Sequence, residues 1–209
     1  MLSAQEALEC LREGNRRFMW GVRDVSTLTN QSRCAELVPG QRPFAAVLGC
    51  SDPRVPVEIV FDQGPGSLFV VRVAGNVATA SQIDSVEFAV ERLGTPLVVV
   101  LGHTKCLAVE TTQEELARPA ADGPREPHSI FDSIRPAVEG LLAAGPGQDR
   151  EAMRRQAVRA NVRAAADRLR HGSAVIERLI EKGGLLVVGA EYSLETGVVD
   201  FFDGLPTSG

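Results

Sequence analysis

The sequence lacks the long apolar runs of a membrane-spanning protein and the excess of positive charge of a nucleic-acid-binding protein. No segment approaches the roughly 20 consecutive apolar residues that cross a bilayer, and a run such as residues 97–101 has only the length of a strand. Lys and Arg number 22 against 27 Asp and Glu, which gives a net charge of −5. Because nucleic-acid binding requires clustered positive charge, we expect neither a membrane nor a nucleic acid as partner.

One group of basic residues stands out against this acidic background. Six arginines recur at helical spacing with Ala and Val between them, namely Arg154, Arg155, Arg159, Arg163, Arg168 and Arg170. This spacing favours the solvated face of a helix over a phosphate-binding surface.

The cysteines are too few, and in the wrong setting, for a disulfide framework. The N-terminus carries glutamates and lacks the apolar region and cleavage site of a signal peptide, so we expect a cytoplasmic protein with reduced thiols. Cys10 and Cys34 have no other metal donor near them in the sequence, and we interpret them as structural. The function of Cys50 and Cys106 then needs an explanation.

The order of apolar segments predicts a single α/β domain over residues 1–209, with an N-terminal helical arm at about 3–19 that Ser3 caps. Continuous apolar segments are typical of strands that helices cover on both faces of a mostly parallel sheet. Such segments lie at 44–48, 68–73, 97–101 and 185–188. Helical patterns lie at 82–93 and at 151–182, the second with a break near Gly172. Residues 198–202 are predicted to form an antiparallel edge strand.

Soft metal donors follow two of the predicted strands. Cys50 comes after the first strand, and His103 and Cys106 come after the third. The carboxyl ends of parallel strands meet at one edge of a sheet, so we expect the three side chains to converge. Two thiolates and one imidazole supply three corners of a zinc tetrahedron and favour Zn²⁺ over magnesium or calcium. The fourth corner stays open, as it does in catalytic sites.

Asp52 and Arg54 lie beside the first of these donors and admit three interpretations. Asp52 reaches the metal as a fourth ligand and closes the site. Alternatively, Arg54 draws the carboxylate away, and Asp52 accepts a hydrogen bond from the nucleophile and orients it toward the substrate. The third interpretation is an ordinary surface pair.

Several motifs follow one another between about Ala4 and Phe202. They are Gly49-Cys50-Ser51-Asp52-Pro53-Arg54-Val55, Phe69-Val70-Val71-Arg72-Val73-Ala74-Gly75-Asn76, Ser85-Val86-Glu87-Phe88-Ala89-Val90, Gly102-His103-Thr104-Lys105-Cys106 and Val188-Gly189-Ala190 with Tyr192, Thr196 and Gly197. In this order they are similar to the motifs of the β-carbonic anhydrases, in their plant-type and actinobacterial-like branch. The resemblance implies reversible hydration of carbon dioxide to bicarbonate, one zinc ion per subunit, and a homodimer or tetramer.

The resemblance also implies a role for individual residues. It assigns zinc binding to Cys50, His103 and Cys106, and the gating pair to Asp52 and Arg54. The implied substrate pocket comprises Gln41, which reaches the neighbouring subunit's site, the apolar walls Phe69, Ala74 and Phe88, and Leu107 at its edge.

Two departures from the family pattern leave the activity open. Pro53 replaces a usual serine and restricts Asp52 toward extended geometry. Leu107 replaces a nearly invariant glycine directly after Cys106 and is expected to fill part of the pocket. The alternatives to carbon dioxide hydration are therefore hydrolysis of a sulfur analogue, carbonyl sulfide or carbon disulfide, and a catalytically weak protein that binds zinc and bicarbonate.

Overall fold

A computed structural model describes residues 2–24, 35–117, 129–142 and 149–206, so Cys34 lies outside the described residues. The strands are β1 (Ala45–Gly49), β2 (Leu68–Arg72), β3 (Leu97–His103), β4 (Leu186–Tyr192) and β5 (Val199–Asp203). The helices used below are α1 (Ala4–Met19), α2 (Val57–Val60), α3 (Ala80–Arg92), α4 (Leu107–Ala117), α5 (Ser129–Leu142), α6 (Arg150–His171) and α7 (Ala174–Glu181).

The five strands form one sheet in the order β2-β1-β3-β4-β5. The first four strands pair in parallel, and β5 pairs antiparallel with β4 at the edge. This arrangement confirms the predicted α/β fold with a mostly parallel sheet. Strands β3 and β4 run two and four residues beyond the predicted ends, because His103 pairs with Tyr192 and Gly102 with Glu191. Pairing between neighbouring strands, which hydrophobicity does not reveal, carries β3 as far as His103.

Helices cover both faces of the sheet, which explains why its strands are continuously apolar. On one face Val99 and Leu101 of β3 belong to a cluster with Leu8 and Leu11 of α1. On the other face alternate residues of the same strand pack against helices α3, α6 and α7. The core therefore consists of two apolar layers with the sheet between them.

The predicted N-terminal helix is confirmed as α1, and it packs on its own domain. Ser3 and Glu6 form a reciprocal capping box at its first turn, and the hydrogen bonds from Ser3 lower the pKa of Glu6. Near its end the buried Asn15 donates to the carbonyl oxygens of Val60 and Gly197, at 3.2 and 2.9 Å, and accepts from the backbone of Val199. These bonds attach α1 to the turn before β5.

The predicted break in the long C-terminal helix is present between α6 and α7, where the Ser173 side chain caps α7. The solvated-face interpretation of the arginines is wrong for Arg159 and Arg170. Arg159 pairs with Glu191 at 2.9 Å, and Arg170 pairs with Asp203 at 2.6 Å. Carboxylates of β4 and β5 face this side of α6, a proximity that only the fold creates.

None of the described helices combines the length and apolarity of a bilayer span.

Candidate metal centre

The three predicted metal donors converge at the carboxyl edge of the sheet. Cys50 directly follows β1, His103 ends the neighbouring strand β3, and Cys106 directly precedes α4. Their donor atoms lie within 4.8 Å of one another, and all three residues are buried. Zinc bonds of about 2.0 to 2.3 Å place tetrahedral donors roughly 3.3 to 3.8 Å apart, so small side-chain adjustments bring this group onto one ion.

The hydrogen bonds of His103 also fit a metal ligand. Its Nδ1 lies 2.9 Å from the carbonyl oxygen of Thr104, the arrangement that directs the lone pair of Nε2 toward the other two donors. Among the described residues Nε2 is buried and has no hydrogen-bond partner. Since a buried unpaired nitrogen is unfavourable, a metal ion bound by these donors would give this atom a partner. The donor set is one that suits zinc.

The two thiols lie close enough for each to affect the ionisation of the other. A hydrogen bond from Cys106 lowers the pKa of Cys50 to about 4. The same hydrogen bond, with burial, raises the pKa of Cys106. The backbone N–H of Gly75 also donates to Cys50 Sγ at 3.4 Å. Thiolates rather than thiols bind metal, and metal binding displaces such a proton.

Arg54 holds the carboxylate of Asp52 beside the donors. Its Nε and Nη2 donate to Oδ1 and Oδ2 of Asp52 at 2.9 and 2.7 Å, and its backbone N–H donates to Oδ1 at 2.9 Å. The side-chain hydrogen bond of Arg54 is the main reason why the pKa of Asp52 is lowered to about 2. Oδ2 of Asp52 lies 3.8 Å from Nε2 of His103. The pair is thus bidentate and adjacent to the metal donors.

Pro53 occupies a position in this segment that suits proline. The backbone N–H of Val55 donates to the carbonyl oxygen of Asp52 at 3.1 Å, which closes a four-residue turn with Pro53 second. Proline is favoured at that position because its ring presets the required φ. Pro53 therefore stabilises the turn that brings Arg54 back onto Asp52.

Two further residues that shape the site carried no assigned role in the sequence analysis. Arg72, the last residue of β2, donates to the carbonyl oxygens of Cys50 and Asp52 at 2.9 and 2.6 Å. Gly75 has φ +66°, and a Cβ there would lie 2.7 Å from Ile134. An arginine at the end of an otherwise apolar strand was the one sequence signal for the first of these.

An open cavity of about 450 Å³ adjoins the donors. Most of the residues that line it are apolar. The lining comprises Cys50, Ser51, Asp52, Pro53, Ala74, Leu107, Ala108, Thr111, Ile130 and Phe131. Of the five residues expected in the substrate pocket, Ala74 and Leu107 line it. Leu107 is the first residue of α4 and is 71% exposed.

The structure places the other three expected pocket residues outside this group of lining residues. Gln41 is exposed shortly before β1. Phe69 on β2 and Phe88 on α3 contact one another, with ring centroids 6.4 Å apart, and Phe88 is 50% exposed. Within one subunit, as far as it is described, these side chains form a separate aromatic surface.

Helix α5 supplies one wall of the cavity and was not anticipated. Ile130 and Phe131 line the cavity, while the buried Ile134 and Val138 pack in the cluster that contains Cys50. The apolar residues recur at helical spacing, a signal that was available in the sequence. Pro136 inside the helix weakens that signal, because proline usually marks a helix end.

Comparisons with known proteins agree with this geometry. A family model described as carbonic anhydrase matches residues 45–199. Carbonic anhydrase 2 of Mycobacterium tuberculosis is 37% identical over 192 residues, which cover 91% of this chain and 89% of the relative.

Two solved structures show the same fold. A β-carbonic anhydrase of Aspergillus fumigatus superposes with a TM-score of 0.68 at 27% identity and covers 84% of both chains. One of two tetrameric β-carbonic anhydrases from Sordaria macrospora gives a TM-score of 0.67 at 23% identity, over 86% of this chain and 89% of that chain. The family match covers most of the chain and the mycobacterial relative nearly all of it, so the chain belongs to the β-carbonic anhydrase family.

Proposed function

We propose that the chain catalyses the reversible hydration of carbon dioxide to bicarbonate and a proton, with Zn²⁺ held by Cys50, His103 and Cys106. The convergence of these three buried donors, with Asp52 beside them, is the observation that carries the proposal. When bound, zinc supplies the Lewis acidity that makes a water molecule nucleophilic near neutral pH. Two thiolates balance the charge of the dication.

Asp52 and Arg54 perform the orienting step in this proposal. Arg54 occupies both oxygens of Asp52, which keeps the carboxylate from closing the fourth metal position as a ligand. A carboxylate oxygen has more than one lone pair and accepts a further hydrogen bond from the nucleophile. Because the pair is bidentate, the direction of that acceptor is fixed before the substrate arrives.

The cavity suits a small apolar substrate. Carbon dioxide carries no charge and no hydrogen-bond donor, so it requires apolar walls more than polar partners. Ala74, Ala108, Ile130 and Phe131 supply such walls near the donors, while Leu107 occupies part of the same space. These side chains also limit the number of water molecules that compete with the substrate.

We further infer a homodimer or tetramer, with the dimer as the smallest working unit. Phe88 is a large aromatic residue with half of its surface exposed, and Gln41 is exposed on the same chain. Aromatic residues such as Phe88 are enriched at protein interfaces. In this proposal Gln41, Phe69 and Phe88 complete the site of the partner subunit.

We expect the reaction in the cytoplasm, where reducing conditions keep both thiols free for the metal.

Stopped-flow carbon dioxide hydration by zinc-loaded protein tests the proposal. We expect turnover that rises with pH between about 6.5 and 9, because a more basic medium supplies more of the deprotonated nucleophile. Zinc-loaded protein without turnover at any pH would contradict it. Hydrolysis of carbonyl sulfide by that same sample would then identify a sulfur analogue as the substrate.

Replacing Leu107 with glycine is expected to raise kcat/KM by up to about 10-fold, equivalent to about 1.4 kcal/mol of barrier. Leu107 projects at the cavity edge but lies in a helix, a conformation that any residue adopts. The obstacle is therefore the side chain rather than the backbone.

Leu107→Ala is the matched control, since it removes the bulk without adding backbone freedom. We expect both variants to gain activity to a similar extent in the stopped-flow assay. A rate that stays unchanged or falls in both variants would show that Leu107 does not obstruct the substrate.

A further inference from the structure

Glu195 joins the metal-binding loop to the turn between β4 and β5. Its Oε2 accepts hydrogen bonds from Thr104 Oγ1 at 2.7 Å and from Ser193 Oγ at 3.2 Å. Its Oε1 lies 2.8 Å from Nζ of Lys105. Both carboxylate oxygens thus bind residues that lie between the metal donors His103 and Cys106.

Thr104 is the residue through which this contact reaches the imidazole. Its backbone N–H donates to the carbonyl oxygen of Tyr192 at 3.0 Å, and its hydroxyl accepts from the backbone N–H of Leu194 at 3.0 Å. Its own carbonyl oxygen lies 2.9 Å from Nδ1 of His103. A shift of Thr104 therefore rotates the ring that presents Nε2 to the other donors.

Lys105 connects Glu195 to the pair formed by Asp52 and Arg54. Its φ is +54°, in the left-handed region that residues other than glycine rarely adopt. Such a conformation persists when the surrounding contacts hold it. The carbonyl oxygen of Lys105 accepts a hydrogen bond from Nη2 of Arg54 at 3.2 Å. The ion pair with Glu195 therefore supports the backbone on which Arg54 rests.

We propose that Glu195 is a positioning residue for the metal centre, holding Thr104 and Lys105 so that His103 is oriented and Arg54 keeps Asp52 in place. The inference rests on the proposed metal site. The hydrogen bond from Lys105, followed by that from Thr104, lowers the pKa of Glu195 to about 2, so the carboxylate is ionised at neutral pH. Glu195 does not touch the donors and acts only through its neighbours.

The test compares Glu195→Ala and Glu195→Gln with the control Glu9→Gln. Glu9 is a suitable control because its side chain is 47% exposed, against 43% for Glu195, and it also forms an ion pair, with Arg16 on α1. Glu195 lines an open cavity of about 550 Å³, so its removal enlarges a solvent-accessible space rather than creating a sealed void. Lys105→Met removes the same ion pair from the other side. This variant tests the positioning role if Glu195→Ala does not fold.

The readouts are zinc affinity by competition with a chelator, the visible spectrum of the Co²⁺-substituted protein, and carbon dioxide hydration. We expect Glu195→Ala to weaken zinc binding about 10-fold or more, in the range typical of groups that orient metal ligands, and to change the Co²⁺ absorption bands. Glu195→Gln keeps an acceptor for Thr104 and should lose less. Glu9→Gln should match the wild type in all three measurements.

Wild-type zinc affinity and an unchanged Co²⁺ spectrum in both Glu195→Ala and Lys105→Met would overturn the inference, whatever the hydration rate of the wild type. A wild-type protein without hydratase activity, whose Co²⁺ spectrum still changes on Glu195→Ala, would contradict the proposed reaction and support the positioning role.

Discussion

Cys106→Ser is expected to abolish most zinc binding and to lower carbon dioxide hydration about 1,000-fold, which corresponds to about 4 kcal/mol of barrier. Serine has nearly the size of cysteine, but its oxygen does not ionise near neutral pH and is a poor ligand for zinc beside a thiolate and an imidazole. Cys106 is buried in the cluster that contains Cys50, so its sulfur faces the other donors rather than solvent. Zinc content after dialysis against a weak chelator, measured with the stopped-flow rate, checks the prediction.

The same substitution at Cys10 provides the control for this experiment. Cys10 lies on α1, and its pKa is raised by partial burial and then by neighbouring glutamates, so the thiolate that binds metal is disfavoured there. Cys10→Ser should keep the zinc content and the rate of the wild type. A Cys106→Ser variant that retains full zinc and full activity would exclude Cys106 as a ligand.

Asp52→Asn is expected to lower kcat/KM about 100-fold while the zinc content stays unchanged. The amide has the size of the carboxylate, but only one of its two terminal atoms accepts hydrogen bonds, so it cannot satisfy both Nε and Nη2 of Arg54. The side chain at position 52 is then no longer held in the direction of the nucleophile. Orienting groups of this kind contribute about 10- to 100-fold to activity. The combination of retained metal and lost rate separates an orienting residue from a permanent ligand.

Asp167→Asn makes the same chemical change on the exposed surface of α6 and should leave the rate as it is. If Asp52→Asn instead loses zinc in parallel with activity, Asp52 acts as the fourth ligand that the sequence analysis considered. If it loses neither, the Asp52–Arg54 contact is an ordinary surface pair.

Local sequence patterns predicted the sheet and the helices α1, α3, α6 and α7, but they did not predict α4 or α5. Apolar segments of strand length, separated by helical spacing and turn residues, have few stable arrangements, and a parallel sheet between helices is one of them. The strand ends were predicted less well. Tyr192 and His103 extend β4 and β3 because they pair with each other, and pairing between distant segments leaves no trace in local hydrophobicity.

The donor residues of the candidate site were also visible in the sequence, because soft donors follow two of the predicted strands and the carboxyl ends of parallel strands meet at one edge. What the sequence did not reveal was how those donors are held. Arg72 reaches the backbone of Cys50 from a neighbouring strand. Residues of α5 line the cavity, and their helical spacing in the sequence did not place them beside the donors. Both effects depend on side chains whose partners are far away along the chain.

The sequence by itself determined the fold class, the chemical types of the donors and their order along the chain, since residue identity and short-range spacing are local properties. Only the tertiary structure decided which distant groups support them, as Glu195 does for Thr104 across 91 positions of sequence. It also decided that Phe69 and Phe88 form a surface apart from the cavity. The physical reason is that hydrogen bonds and packing depend on separation in space, which local spacing leaves undetermined until the strands have paired and the helices have docked.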